Sequence, residues 1–201
     1  MIKTIAKVVK RMNPWSGRRW RGSEGEPDLT RSILGFSGIY VLSLAPVLSA
    51  SPSATSVAFL LLATTLIWIS VEDLSRKIIP DAAVVATALL SLWLRAQNHL
   101  PIRESLLVGG ALAVALWAIG EIYFRLRSVE GFGAGDAKLI GALTLLVGAE
   151  KIWLTLFLAA LAGIVAVLVA NGRSARRGDA VPFGPFLAYA GFLLALVQQG
   201  I

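Results

Sequence analysis

Residues 32–71 read SILGFSGIYVLSLAPVLSASPSATSVAFLLLATTLIWISV, a run of 40 residues without a charged side chain. A helix needs about 20 mostly apolar residues to cross a bilayer, so this run is long enough for two spans. The Ser51-Pro52-Ser53 stretch near its middle predicts the break between them. Only helices and closed barrels satisfy their backbone polar groups in lipid, and the run lacks the alternation of apolar and polar residues found in barrel strands. The stretch therefore predicts membrane helices.

The rest of the chain is also rich in apolar residues and poor in charged ones. Of its 201 residues, 56% are hydrophobic and 15% are charged, whereas soluble domains average about 25% charged residues. We therefore expect an all-α, polytopic integral membrane bundle of about seven transmembrane helices. The fifth segment is the weakest, because 13 residues rise only about 20 Å against about 30 Å of hydrocarbon. The predicted apolar segments are 32–50, 56–72, 80–96, 104–124, 137–149, 152–171 and 183–200.

Lysine and arginine residues predict the orientation of these helices. With the amino terminus in the cytoplasm, 16 basic residues fall on the cytoplasmic side, and Arg95, Arg103 and Lys151 fall outside. Without the fifth segment as a span the split becomes 13 to 6, so seven spans agree better with the positive-inside rule. This rule accounts for the net charge of +7, and we expect no nucleic-acid partner.

Eight of the basic residues lie in residues 1–31, which we treat as a cytoplasmic segment separate from the membrane domain over residues 32–201. The first 12 residues space apolar side chains by three and four, with lysines between them. That pattern is typical of a short amphipathic helix on an anionic membrane surface. A disordered basic arm is an equal alternative.

The residue inventory excludes several kinds of chemistry. The chain has no Cys and one His, His99, so disulfides, a cysteine nucleophile, thiolate metal sites and multi-histidine metal centres are ruled out. We expect neither a metal nor a cofactor. His99 lies in a short polar stretch between two apolar segments, where a solvated loop residue is the simple interpretation.

Two acidic residues are candidates for a site. In the predicted topology Asp73 ends the second helix and Asp136 opens the fifth, so both lie at the cytoplasmic face. Ionisable groups at such positions commonly face the bundle interior or a wet cavity. The alternative is that each is a solvated charge at a helix end, and a helix N-terminus would favour the charge of Asp136 in any case.

Gly131, Gly133 and Gly135 alternate with other residues just before Asp136. Glycines at these positions permit tight backbone geometry and leave room for a peptide to approach the carboxylate, which makes them candidate substrate-binding residues. A flexible loop without a binding role is the alternative. A dinucleotide-binding loop is rejected, because that motif follows a strand and this segment follows a predicted membrane helix.

Two neighbouring carboxylates suffice for aspartyl protease chemistry. They do not readily ionise together, so they share a proton. The ionised carboxylate takes a proton from water, which attacks the scissile carbonyl, while the protonated one polarises that carbonyl and supports proton delivery to the leaving amine. This chemistry needs no metal, Cys or His, in keeping with the inventory above.

Three segments of the chain resemble motifs of the type IV prepilin peptidases, membrane aspartyl proteases of the Gly-x-Gly-Asp class. Residues 72–81, EDLSRKIIPD, are similar to the family's first-aspartate motif, and residues 131–139, GFGAGDAKL, to its Gly-x-Gly-Asp-x-Lys-Leu motif. Residues 181–188, VPFGPFLA, are similar to its Pro-Phe-Gly-Pro helix start. The resemblance implies that Asp73 and Asp136 are the catalytic aspartates.

The resemblance also implies a substrate and a location. The expected substrate is a prepilin or pseudopilin, whose short basic leader ending in Gly is removed at the cytoplasmic face of the bacterial inner membrane. Its apolar helix is expected to remain in the bilayer beside the enzyme. Asp81 matches a position where the family accepts Asn, so it is not expected to be catalytic. Larger members carry a Cys-x-x-Cys domain associated with N-methylation, and a chain without Cys resembles the short form that lacks it.

Two other functions stay open at this stage. A presenilin-like intramembrane protease shares Gly-x-Gly-Asp but has a Pro-Ala-Leu motif near its C-terminus, where this chain has Pro-Phe-Gly-Pro. A non-catalytic membrane subunit or transporter-like component is the alternative from a different class. Transporters typically show paired repeats and polar groups near the midplane, and neither feature is evident in this sequence.

Overall fold

The computed structural model describes residues 29–49, 53–127, 133–171 and 182–198. Every regular element in these ranges is an α-helix, which confirms the predicted all-α class. The helices match the predicted apolar segments to within four residues at each end. They are α1 (Leu29–Ser49), α2 (Ala54–Arg76), α3 (Asp81–Gln97), α4 (Ile102–Arg127), α5 (Ala134–Val147), α6 (Ile152–Asn171) and α7 (Gly184–Gln198).

Helix α5 is the centre of the bundle. It packs against α3, α4 and α7 and more lightly against α6, and most of its side chains are buried. A helix surrounded by other helices is apolar around its whole circumference, which explains why this segment shows no polar face. Its 14 residues rise about 21 Å, so its position inside the bundle, rather than its length, accounts for its apolar sequence.

The closest helix contacts occur where side chains are small. A Cβ atom on Gly109 of α4 would lie 2.9 Å from the carbonyl oxygen of Gly141 in α5. A Cβ atom on Gly191 of α7 would lie 2.7 Å from a methyl carbon of Leu143. Backbones approach this closely only where glycine or another small residue lies at the interface, as is common in membrane helix pairs.

Among the described residues, two helical stretches are long and apolar enough to cross a membrane by themselves, Ala54–Arg76 and Ile102–Leu126. Shorter apolar stretches occur in α1, α6 and α7. The orientation and the number of crossings stay predictions. The predicted amphipathic helix in the first 12 residues lies outside the described residues, and the division of the chain at residue 31 also stays a prediction.

Candidate active site

Asp73 lies in the last turn of α2. The helix ends there because Lys77 takes a left-handed conformation, with φ 56° and ψ 37°, and its N–H donates to the carbonyl oxygen of Asp73 at 2.9 Å. Pro80 follows shortly and biases Ile79 away from the helical region. The chain then turns into α3, whose N-cap is Pro80. The Ile-Pro step therefore leaves Asp73 at one end of the bundle.

The carboxylate of Asp73 is buried against the start of α7. Only 6% of the residue is exposed, and its Oδ2 accepts a hydrogen bond from the backbone N–H of Gly184 at 2.9 Å. A Cβ atom on Gly184 would lie 2.7 Å from this oxygen, so only glycine permits the contact. Pro185 follows within the first turn of α7, where a missing N–H costs nothing. The Pro-Phe-Gly-Pro segment thus supplies a donor that orients Asp73.

Asp136 lies in the first turn of α5 and is half-buried. Gly133 is the N-cap residue of this helix, and a Cβ atom there would lie 3.1 Å from Oδ2 of Asp136. A Cβ atom on Gly135 would instead lie 3.0 Å from Cβ of Ile79. Gly133 therefore leaves space beside the carboxylate, whereas Gly135 lets α5 approach the α2–α3 connection.

The structure brings Asp73 and Asp136 into one cavity of about 680 Å³. Both side chains line this cavity, so the two carboxyl groups border the same space. The cavity is open on one side, and its wall is built from the end of α2, the start of α3, one face of α4 and the start of α5. Its lining residues are Asp73, Lys77, Ile78, Ile79, Pro80, Asp81, Trp117, Gly120, Glu121, Phe124, Gly133, Ala134, Gly135, Asp136 and Lys138.

The other charged side chains near the cavity are largely paired with one another. Lys138 Nζ lies 2.7 Å from Oδ1 of Asp81, and both side chains are more than half exposed. Glu121 Oε1 accepts from Nε of Arg125 at 2.8 Å. The ion pair of Lys138 with Asp81 joins the start of α5 to the start of α3. Asp73 and Asp136 differ from these groups because no oppositely charged side chain forms a salt bridge with either of them within the described residues.

No group of three or more His, Cys, Asp or Glu side chains suited to hold a metal ion occurs in the part of the chain that the structure describes. Gly133 and Gly135 line the cavity, while Gly131 lies outside the described residues. Their role in substrate binding stays a prediction. Gly184 was not singled out from the sequence as a site residue, although a glycine at a helix N-terminus beside a proline is a recognisable signal for an anion contact.

The chain is similar in sequence to a described family and to several named proteins. Residues 60–168 match the model of the family described as "Type IV leader peptidase family". The chain is 33% identical over 144 residues to a "Prepilin leader peptidase/N-methyltransferase" of Pseudomonas aeruginosa, covering 69% of this chain and 49% of that protein. A protein of the same name from Dichelobacter nodosus is 33% identical over 143 residues, covering 70% of this chain and 49% of the relative.

The chain spans about half the length of these relatives. No solved structure gives a significant match to it. The family match nevertheless covers more than half of the chain, and the matched residues include both Asp73 and Asp136. On these grounds the chain belongs to the type IV leader peptidase family.

Proposed function

We propose that the chain is an aspartic endopeptidase that removes the leader peptide from prepilins or prepilin-like proteins at the cytoplasmic face of the bacterial inner membrane. The observation that carries the proposal is the convergence of Asp73 and Asp136 on one open cavity. The relatives named as prepilin leader peptidases support the choice of substrate. No observation on the described residues favours a transporter or a non-catalytic subunit over this function.

The two carboxylates have different roles in the proposed hydrolysis. Because like charges at close range do not readily ionise together, one carboxylate holds a proton while the other is ionised. The ionised group takes a proton from a water molecule, whose oxygen attacks the carbonyl carbon of the scissile bond. The protonated group donates a hydrogen bond to the carbonyl oxygen. When the C–N bond breaks, a proton passes to the leaving amine, and the dyad is ready for another cycle.

The surrounding backbone supports this chemistry. The N–H of Gly184 fixes one oxygen of Asp73 at 2.9 Å, which leaves the other oxygen of that carboxylate for water or substrate. Gly133, with no side chain next to Asp136, gives an extended peptide access to the second carboxylate. Positioned groups of this kind reduce the reorganisation needed at the moment of reaction.

The proposed orientation places this cavity at the cytoplasmic surface. A reporter fused at Asn98 should then report the outer side of the membrane, and a reporter fused at Ser174 should report the cytoplasm. A Ser174 fusion found on the outer side would show that residues 137–149 do not cross the bilayer and would reverse the assignment of the following loops.

The decisive experiment incubates membranes containing the chain with a purified prepilin and reads leader removal as a mass shift. Asp73→Asn and Asp136→Asn should each abolish the mass shift while leaving membrane insertion intact, because neither amide can exchange the required proton. Asp81→Asn is the matched control, since it removes a third carboxylate from the same cavity, and it should retain substantial activity.

Each outcome of this experiment is informative. Clear turnover by either Asn variant at position 73 or 136 would remove that residue from the mechanism. Loss of activity in Asp81→Asn would show that the first aspartate is misassigned. A parental chain that leaves several prepilins intact would contradict the proposed function as a whole.

A further inference from the structure

Helix α4 presents one face to the proposed active site. Its cavity-lining residues Trp117, Gly120, Glu121 and Phe124 have the spacing of a single helical face. Trp117 is 53% exposed and Phe124 is 47% exposed, so these aromatic side chains do not fill the core. The wall of the cavity formed by α4 is therefore mostly apolar and accessible.

The same face continues away from the cavity along α4. Gly110 and Leu106 lie seven and eleven residues before Trp117, positions that fall on the same side of a helix. Leu106 is 53% exposed, and a Cβ atom on Gly110 would meet no atom within 4 Å. The face that packs on α5, which includes Gly109, lies to one side of this surface. We call Leu106, Gly110, Trp117 and Phe124 the open face of α4.

Helix α3 does not cover this open face. Helices α3 and α4 are joined by residues 98–101 at the end remote from the cavity, and both pack extensively on α5. Along the rest of their length α3 and α4 scarcely touch. Both helices border the cavity that contains Asp73 and Asp136, α3 through Asp81 at its start and α4 through Trp117 and Phe124.

We propose that the apolar helix of the substrate enters from lipid between α3 and α4 and lies along the open face of α4. This inference rests on the proposed function. An apolar helix commonly binds in a groove through side chains of one face, and the vacant space at Gly110 allows its backbone to approach α4 closely. The peptide leading out of that helix then reaches Asp136, since Trp117 and Phe124 of the same face line the cavity that contains Asp136.

A second apolar groove, between α6 and α7, is a less suitable path. Its volume is about 390 Å³, and no acidic residue lines it. On the α7 side, the carboxylate of Asp73 is already covered by Gly184. A helix in that groove would be separated from the dyad by the start of α7. The lining residues are Ala160, Gly163, Ile164, Val167, Leu168, Phe183 and Phe186.

Disulfide cross-linking tests the two paths, because the chain contains no Cys and each introduced thiol is unique. Gly110→Cys and Leu106→Cys are placed on the open face of α4, and Gly163→Cys is the matched glycine control in the other groove. Each is combined with Asp136→Asn, which retains substrate without cleaving it. A prepilin carrying one Cys in its apolar helix is added, and membranes are oxidised and separated by electrophoresis.

The proposal predicts a mobility shift to the summed mass of the two chains for Gly110→Cys and Leu106→Cys, and none for Gly163→Cys. A shift only for Gly163→Cys, or no shift for either α4 variant, overturns it. The parental chain is assayed for cleavage of the same prepilin in parallel. Failure of that cleavage rejects the proposed function, whereas cleavage without α4 cross-links rejects only the path.

Discussion

Two buried charged residues lie at opposite ends of the bundle, and their surroundings differ. Asp73 ends α2 beside the open cavity, and Arg95 lies in the last turn of α3 at the other end. They are 6% and 4% exposed, respectively. Asp73 has one backbone hydrogen bond to its carboxylate and the like charge of Asp136 nearby. The basic side chain of Lys77 lines the same cavity, but within the described residues no salt bridge joins it to Asp73.

Two backbone carbonyls accept hydrogen bonds from the guanidinium of Arg95, whose Nε is buried without a partner among the described residues. Its Nη2 donates to the carbonyl oxygen of Pro101 at 3.0 Å, and its Nη1 donates to that of Leu145 at 3.4 Å. Leu145 lies in the last turn of α5, where backbone carbonyls lack partners within the helix and carry partial negative charge. The side chain of Gln198 donates to the neighbouring carbonyl of Val147. Arg95 and Gln198 thus complete the C-terminal end of the central helix.

We infer from this difference that Arg95 has a structural role, whereas Asp73 has the proposed catalytic one. A buried charge that satisfies orphan carbonyls stabilises the fold, and its removal leaves those carbonyls unpaired. A buried charge that faces a like charge in an open cavity works against stability and is retained where chemistry requires it. The comparison predicts that loss of the charge at Arg95 lowers stability and leaves activity unchanged. Loss of the carboxylate at Asp136 should instead lower activity and leave stability unchanged or higher.

The largest effect is expected at the dyad. Asp136→Asn should lower kcat by about 10²–10⁴-fold or more, because it removes a group that transfers a proton. Its melting temperature in detergent should stay equal or rise, because the substitution removes a carboxyl group whose ionisation is unfavourable beside Asp73. Thermal unfolding and prepilin cleavage, measured on the same preparation, test both parts. A clearly lower melting temperature would mean that Asp136 also contributes to the stability of the fold.

Gly184→Ala should have the next largest effect. The new methyl group would lie 2.7 Å from Oδ2 of Asp73, so either the carboxylate or the start of α7 must shift. A displacement of about 1 Å in a catalytic group can reduce the rate by roughly 10²-fold, and we expect a loss of that order in kcat. Gly163→Ala is the matched control in α6, because its nearest neighbour would lie 3.7 Å away. Equal activities of the two variants would contradict the positioning role of Gly184.

Gly133→Val should have a smaller but clear effect. Its Cβ would lie 3.1 Å from Oδ2 of Asp136, and its branched side chain would restrict the backbone where the peptide is expected to pass. We expect cleavage to fall by at least about tenfold, equivalent to ~1.4 kcal/mol, with normal expression. Gly38→Val in α1 is the control, since a Cβ there would meet no atom within 4 Å. A parental rate for Gly133→Val would refute the close approach of the substrate at this residue.

Much of this arrangement can be predicted from the sequence, because it depends on local patterns. Apolar segment lengths predicted all seven helices, and proline and glycine breaks placed Asp73 and Asp136 at helix ends. The contact between Gly184 and Asp73 joins residues 111 positions apart, and no helical period encodes such a pairing. From the sequence, Arg95 is only one of three basic residues on the predicted outer side. Its burial could not be predicted, because it depends on how α3 and α5 pack together.

Arg95→Met gives the smallest expected change in activity and tests the other side of the comparison. Methionine keeps much of the volume of the side chain but removes the Arg95 donor to the carbonyl oxygen of Leu145, whereas the carbonyl of Pro101 keeps a donor in Ser105 Oγ. The unpaired carbonyl of Leu145 should lower the free energy of unfolding by about 1–3 kcal/mol. Arg103→Met removes the same charge from an exposed position near that end of the bundle and should change stability by less than about 0.5 kcal/mol. Denaturation in detergent measures both changes.

Because Arg95 is remote from the dyad, kcat per folded molecule should stay at the parental value in both variants. A fall in kcat for Arg95→Met without a fall in stability would show that the charge at the end remote from the dyad affects the cavity, and the division between structural and functional charges would have to be abandoned.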